Sequence, residues 1–245
     1  MVACIARSEI ALVSTPRSPN GFLSALAADD FELIRPHLRT VDLVQESTLA
    51  EAGTALARAY LPHRGLISLI TSLSKGECVQ VGMIGRESIY GAYAALGDPI
   101  ALNGAVVQIG GAASVVDLER LGAAADRSAR FRALLVRHEL ALHAQVQQTA
   151  GCNAAHPVES RLSRCLLQIR DLSGDVRLLL TQEDLAQMIG ARRNSVSLVA
   201  NTLQQANFIH YSRGHIQINN LDGLRQTACE CYATVKAQYD RLLGP

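Results

Sequence analysis

Between residues 126 and 149 neither glycine nor proline interrupts the chain, and Phe131, Leu134, Leu135, His138, Leu142, Gln145, Val146 and Thr149 recur at three- and four-residue steps. That spacing lines one face of an α-helix. At about 1.5 Å per residue the helix exceeds about 30 Å, the width of a small domain. A rod of that length divides the chain. One face has to cover a neighbouring body, and a second apolar seam can pair with a copy of itself as a coiled coil. A helix buried wholly within its own chain satisfies the same pattern, and both readings stay open.

What precedes the rod has a different character. From 41 to 118, segments such as Gly65–Ile70, Cys78–Ile84 and Ala105–Ile109 are short, apolar and β-branched, and glycines at 53, 65, 76, 82, 85, 91, 97, 104, 110 and 111 punctuate them. Many short strands at regular spacing predict an all-β barrel or jelly roll. Phe22, Leu23, Leu26, Phe31, Leu33, Ile34 and Leu38 predict one or two short helices over 21–38, with Asp29 and Asp30 suited to a helix start. Residues 1–20, with Pro16 and Pro19, read as a flexible lead-in too polar for a signal peptide. Beyond the rod, Gly151 and Pro157 mark a boundary, a helix is predicted over 158–171, and Val176–Leu180 reads as a strand. The expected class is α+β: a tail (1–20), a β-roll (21–127), a long helix (128–150) and a C-terminal domain (151–245).

The 245 residues are 49% hydrophobic and 18% charged with a net charge of +1, enough to build cores and no argument for or against nucleic acid. Aromatics make up 4% and Trp is absent, which disfavours a platform for stacking single-stranded bases. The six cysteines, Cys4, Cys78, Cys152, Cys165, Cys229 and Cys231, contain no CxxC pair. Their spacing predicts neither a zinc site nor a disulfide framework. Cys229-Glu-Cys231 alone is close enough for metal or redox use, against the simpler reading of reduced thiols.

The segment Thr181–Leu203 carries function. Thr181 and Asp184 have the spacing of a variant capping box, Leu185, Met188 and Ile189 face a core, and Gly190 fits a steep corner between two helices. In the following helix Val196, Val199, Ala200 and Leu203 share one sector, and Arg193, Asn194, Ser197 and Asn201 another. A recognition helix needs that division. Arg193, Asn194 and Ser197 are the predicted base readers, Arg suiting guanine and Asn adenine. Thr181, Gln182, Arg192, Ser195, Asn201 and Arg213 are the predicted phosphate or supporting contacts. No acidic residue occurs between Asp184 and Asp222, whereas Arg192, Arg193, His210, Arg213 and His215 do. Ile209 and Tyr211, then Ile216 and Ile218, alternate about Ser-Arg-Gly-His and predict a β-hairpin wing.

The stretch from Leu180 to Ile218 resembles the C-terminal winged helix of the cyclic-AMP receptor/Fnr family of bacterial transcription regulators. The matching residues are Thr181-Gln-Glu-Asp-Leu-Ala-Gln-Met-Ile-Gly190, Arg193, Val196, Leu203, Ile209 and Gly214. The order β-roll, long helix and reader matches as well, so the resemblance spans most of the chain. It implies a cyclic-nucleotide-binding-like roll, a cytoplasmic homodimer joined along the long helix through Phe131, Leu135, His138, Leu142 and Val146, and a near-palindromic operator in double-stranded DNA. RNA polymerase joins the expected partners, and a membrane does not.

The effector cassette departs from that family. The corresponding stretch is Gly85-Arg-Glu-Ser-Ile-Tyr-Gly-Ala92, with Ala92 where a ribose-binding Glu is expected and no Lys or Arg from Glu87 to Glu119. A buried cyclic phosphate would lack its cationic partner. Cyclic AMP bound in the family manner is therefore not expected and no cofactor is predicted, although Gly85, Arg86, Glu87, Ser88, Tyr90 and Gly91 stay candidates for a pocket with another effector. A haem at His37 or His63 and a hydrolase built on Cys152 and His156 are weaker readings, and no enzyme is expected. The alternative from another class is a ligand-binding or interaction module whose winged helix meets a protein.

Overall fold

The computed structural model describes residues 18–74 and 76–243, so the predicted tail falls almost wholly outside the described residues, as does Cys4. Two short helices, α1 (Gly21–Ser24) and α2 (Ala28–Ile34), lead into the roll. Its strands are β1 (Arg39–Leu43), β2 (Thr48–Ala50), β3 (Arg58–Ser72), β4 (Cys78–Ile84) and β5 (Gly104–Asp117), with α3 (Ala92–Leu96) between the last two. All pairings are antiparallel, in the order β1-β5-β3-β4 with β2 also on β5.

The expectation of many short strands is corrected in one respect. β3 and β5 are long and pair from Arg58↔Asp117 to Ile70↔Gly104, with the register shifting between Pro62 and Ile67. Gly65, at φ +89, turns that corner while its backbone passes Ile109 too closely for a side chain. One strand with a bulge therefore serves where two short ones were expected.

The roll is filled by Leu43, Leu61, Ile67, Ile84, Ile89, Ala105 and Val107 and closed by α4 (Leu118–Arg127) and the long α5 (Ala129–Ala155). Ser128 separates these two helices, its hydroxyl accepting from the Phe131 N–H at 3.1 Å. Arg130 at the start of α5 donates to the nearly buried Asp30 at 2.7 Å, and that hydrogen bond holds the Asp30 carboxyl below its ordinary range.

α5 runs past Gly151 to Ala155, beyond the expected boundary, and the chain breaks at His156-Pro157. Then follow α6 (Val158–Ser173), β6 (Arg177–Leu179), α7 (Gln182–Ile189), α8 (Arg193–Gln205), β7 (Ile209–Ser212), β8 (His215–Ile218), α9 (Leu221–Thr227) and α10 (Cys231–Leu243). A second core joins α6, α7 and α8 to the small sheet β6-β8-β7. α10 returns to α5, where Gln145 donates to the Tyr239 hydroxyl at 3.1 Å and also brackets the Met83 peptide of β4. Among the described residues no helix is long and apolar enough to cross a membrane.

Candidate nucleic-acid interface

The capping box forms as the sequence predicts. Thr181 Oγ1 accepts from the Asp184 N–H at 3.1 Å, and the Asp184 carboxylate accepts from the Thr181 N–H at 2.7 Å. These bonds satisfy donors that a helix start leaves free. The corner follows at Gly190, with φ +58 and ψ +46, a left-handed conformation that costs a β-branched residue most. Gly190→Val is expected to cost about 1–3 kcal/mol, and chemical denaturation checks it.

α8 turns Val196, Ala200 and Leu203 into the core. Its opposite side carries Arg193, Asn194, Leu198 and Asn201, all exposed. Among the described residues the Arg193 and Asn194 side chains make no hydrogen bond within the chain. Ser197 is only half-exposed, and its hydroxyl bonds the Gln182 side-chain oxygen and lies 3.0 Å from the Arg193 carbonyl. It therefore braces α8 against α7 and offers a ligand an acceptor rather than a free donor.

Leu198 stands on this face as well, although the sequence pattern points only to its polar heads. It is 70% exposed at the centre of the outward face, where an apolar side chain can meet a thymine methyl group. The signal was present as a leucine four residues after Asn194 that the buried sector does not use.

The wing sits beside this face. Arg213 and Gly214 have φ of +48 and +80, so the hairpin closes on two left-handed residues, the turn that matches strand twist. The tip approaches Thr181, since a side chain on Gly214 would meet its methyl group at 3.9 Å. At the other end Gln204 accepts from the Tyr211 N–H at 2.7 Å, tying α8 to β7. Arg213, Thr181, Gln182, Ser197 and Arg193 thus form a continuous border. Exposed Arg192, His210 and His215 add cationic or ionisable groups, and Ser195 lies half-buried beside Arg192.

Four of the five residues predicted for dimerisation are taken up inside the chain. Phe131, Leu135 and His138 are fully buried within the chain and Leu142 nearly so, with Phe131 packed edge-on to Phe22 and His138 accepting from the Ile89 N–H at 3.2 Å. Val146 is half-buried, towards Gly82 of β4. The periodic stripe is the face that closes the roll. The face of α5 left open carries Ala133, Val136, Leu140, His143, Gln147 and Ala150, also at alternating three- and four-residue steps.

The cassette residues divide between the core of the roll, which Tyr90 joins, and the groove outside it. Gly85 is pressed against Leu172 of α6, and the Arg86 N–H donates to the Leu172 carbonyl at 3.0 Å. Ser88 and Tyr90 are buried, burial pushing the Tyr90 hydroxyl pKa upward, and Gly91 packs on Leu56 and Ala59. Only Arg86 and Glu87 face open space, a groove of about 1030 Å³ between the roll, α5, α6 and α10 that Arg137, Arg170, Lys236 and Tyr239 also line.

Comparison with known proteins places these observations. Residues 160–227 match the Crp-like helix-turn-helix domain. No curated protein matches the sequence significantly. Among solved structures, FixK2 from Bradyrhizobium japonicum superposes with a TM-score of 0.67 at 15% identity, covering 78% of this chain and 98% of that one. The c-di-GMP-responsive global regulator CLP of Xanthomonas campestris gives 0.63 at 15% identity over 78% and 99%. A CRP/FNR-family transcriptional regulator from Thermus thermophilus gives 0.60 at 21% identity over 78% and 98%. At these identities the superpositions establish the shared fold.

Proposed function

We propose that the chain is a transcriptional regulator of the Crp-Fnr family, as its match to the Crp-like helix-turn-helix domain over residues 160–227 supports, and that it binds DNA as a homodimer and reads a near-palindromic operator with α8. The observation that carries the reading is the open face of Arg193, Asn194, Leu198 and Asn201, bordered by Arg213 and free of acidic residues from 185 to 221. Arg193 and Asn194 offer two-pronged hydrogen bonding to base edges, and Leu198 offers a methyl contact. Arg192, Arg213 and the start of α7 suit phosphates, which fix register without reading sequence. A cytoplasmic location belongs to the same reading, since that is where a bacterial regulator meets its operator.

Dimerisation is assigned to the open face of α5, where Val136 and Leu140 are 43% and 52% exposed. An apolar hollow next to them, lined by Tyr93, Leu96, Val136, Leu140 and His143, can receive side chains of a second copy. The groove beside Arg86 is the place for an effector of unspecified chemistry, and the cassette gives no support to cyclic AMP bound in the family manner.

Selection from a random duplex pool tests the reading. An inverted repeat is expected, with affinity falling steeply as salt rises. Arg193→Ala is expected to weaken binding by about 1–3 kcal/mol and to relax preference at one base pair per half-site, and Leu198→Ala to relax preference at a thymine. Failure to enrich any duplex with or without cell extract would favour a winged helix that meets protein.

A further inference from the structure

Cys152 lies on the last turn of α5 and His156 is the extended residue that ends it, and Cys229 and Cys231 lie where α9 hands over to α10. The four ligand atoms all fall within 4.8 Å of one another. Cys152 Sγ is 3.5 Å from Cys229 Sγ, across 77 residues of chain, and Cys231 Sγ is 3.6 Å from His156 Nδ1, across 75. The sequence spacing had argued against a zinc site because it weighs only neighbours in the chain, whereas folding supplies this one from two distant segments.

We propose that Cys152, His156, Cys229 and Cys231 form a mononuclear Cys3His zinc site that clasps α10 to the joint between the long helix and the DNA-reading domain. Zinc–sulfur bonds of about 2.3 Å and zinc–nitrogen bonds of about 2.0–2.1 Å, set tetrahedrally, place sulfurs about 3.8 Å apart and sulfur about 3.5 Å from nitrogen. The Cys152–Cys229 and Cys231–His156 spacings lie within about 0.3 Å of those edges, and the remaining pairs fall within 4.8 Å. They suit a single ion and are too tight for an iron–sulfur cluster to sit between the thiolates. Thiolate and imidazole ligands select zinc over the hard cations.

The surroundings are those a thiolate-rich site needs. His156 presents Nδ1 to the cluster, while its Nε2 lies 3.2 Å from the Glu230 carboxylate, the outer partner that fixes the tautomer of a ligating histidine. Gln148 Nε2 donates to Cys231 Sγ at 3.0 Å. Binding Zn²⁺ releases three thiol protons and leaves a site of net charge −1. A buried cation is at hand to offset it: Arg164 is 2% exposed, its Nη1 donates to Gln168 Oε1 at 2.6 Å, its Nε has no partner among the described residues, and its charge works against the upward push that burial gives the Cys152 thiol. Burying an arginine without a carboxylate is costly, and an anionic zinc–thiolate centre resolves that cost. Cys152 and Cys231 are fully buried and the His156 side chain is 24% exposed, so the imidazole is the ligand most open to solvent.

The site stands whether or not α8 reads DNA, and its test reads metal directly. The full chain, purified with a phosphine reductant, is assayed for zinc by elemental analysis, then stripped and titrated with cobalt(II). One zinc per chain is expected, together with a tetrahedral cobalt–thiolate spectrum that zinc abolishes. Cys229→Ser and Cys231→Ser should each lose the metal, and Cys78→Ser should keep it. Glu230→Gln should retain the cobalt spectrum but weaken zinc about 10–100-fold in competition with a chelator. A reduced, folded wild-type chain that binds neither zinc nor cobalt overturns the proposal, whether its thiols stay free or join as a Cys152–Cys229 disulfide on air oxidation. Full zinc retention in the Cys229→Ser/Cys231→Ser double variant overturns it too. Should the serine variants fail to fold, the cobalt spectrum of the wild-type chain decides alone.

Discussion

Leu140→Glu is expected to turn the protein into a folded monomer and to lower operator affinity by about 100-fold or more. Leu140 is 52% exposed and its neighbours along the seam, Val136 and His143, are exposed with it, so the substitution removes nothing from the core of its own chain. Across a two-fold axis it sets carboxylates close together in an apolar seam, where unpaired charge is expensive. Two reading heads joined in one particle bind as a unit, and separating them forfeits the effective concentration that linkage provides, worth about 10²–10⁴-fold. Sedimentation velocity and duplex titration check the two halves of the expectation. A variant that stays dimeric at micromolar concentration, with unchanged affinity, places the seam elsewhere.

Phe131→Ala, one turn from that seam, is expected to do the opposite: to cost about 3–5 kcal/mol of folding stability while leaving the oligomeric state of the folded protein alone. Phe131 is fully buried, and its ring meets Phe22 edge-on with centroids 6.5 Å apart. Truncation opens a cavity where α1, α5 and the roll meet, and the walls are held by strands that cannot collapse into it. Urea unfolding measures the loss. A cost under about 1 kcal/mol, or dissociation at unchanged stability, would show that this face of α5 meets a partner and not the roll.

The two variants also show what the sequence disclosed. Periodicity finds the long helix because Phe131, Leu134, Leu135, His138 and Leu142 stand at helical steps, but it does not say which body they cover. The most apolar stripe went to the roll. The seam proposed for a second copy, with Ala133, His143 and Gln147 among its members, is too weakly apolar to stand out in a sequence. The helix-turn-helix was legible because its signals are local: a cap at Thr181, a corner at Gly190, a wing turn at Arg213-Gly214. Leu198 and the cysteine–histidine cluster were not, the first because exposure is a tertiary property, the second because its ligands meet only after α10 has returned to α5. The cassette at Gly85 illustrates the same limit, since its docking on Leu172 depends on where α6 ends.

The α7–α8 corner rests on the roll: a side chain on Gly190 would meet Asn153 at 3.4 Å and Val79 of β4 at 3.8 Å, and Arg161 bonds both the Asn153 and the Ile189 carbonyls at 2.9 and 3.1 Å. In the proposed dimer each half is then a jaw braced by its own roll. The opening between two jaws is gauged by protein packing, with no loose tether to absorb an error. A spacer one base pair too long turns the far half-site by about a tenth of a helical turn, and a jaw braced in this way has to break those contacts to follow it round. On the proposed reading such a molecule selects the phase of the double helix along with its letters, and the surface of β4 helps to set that phase.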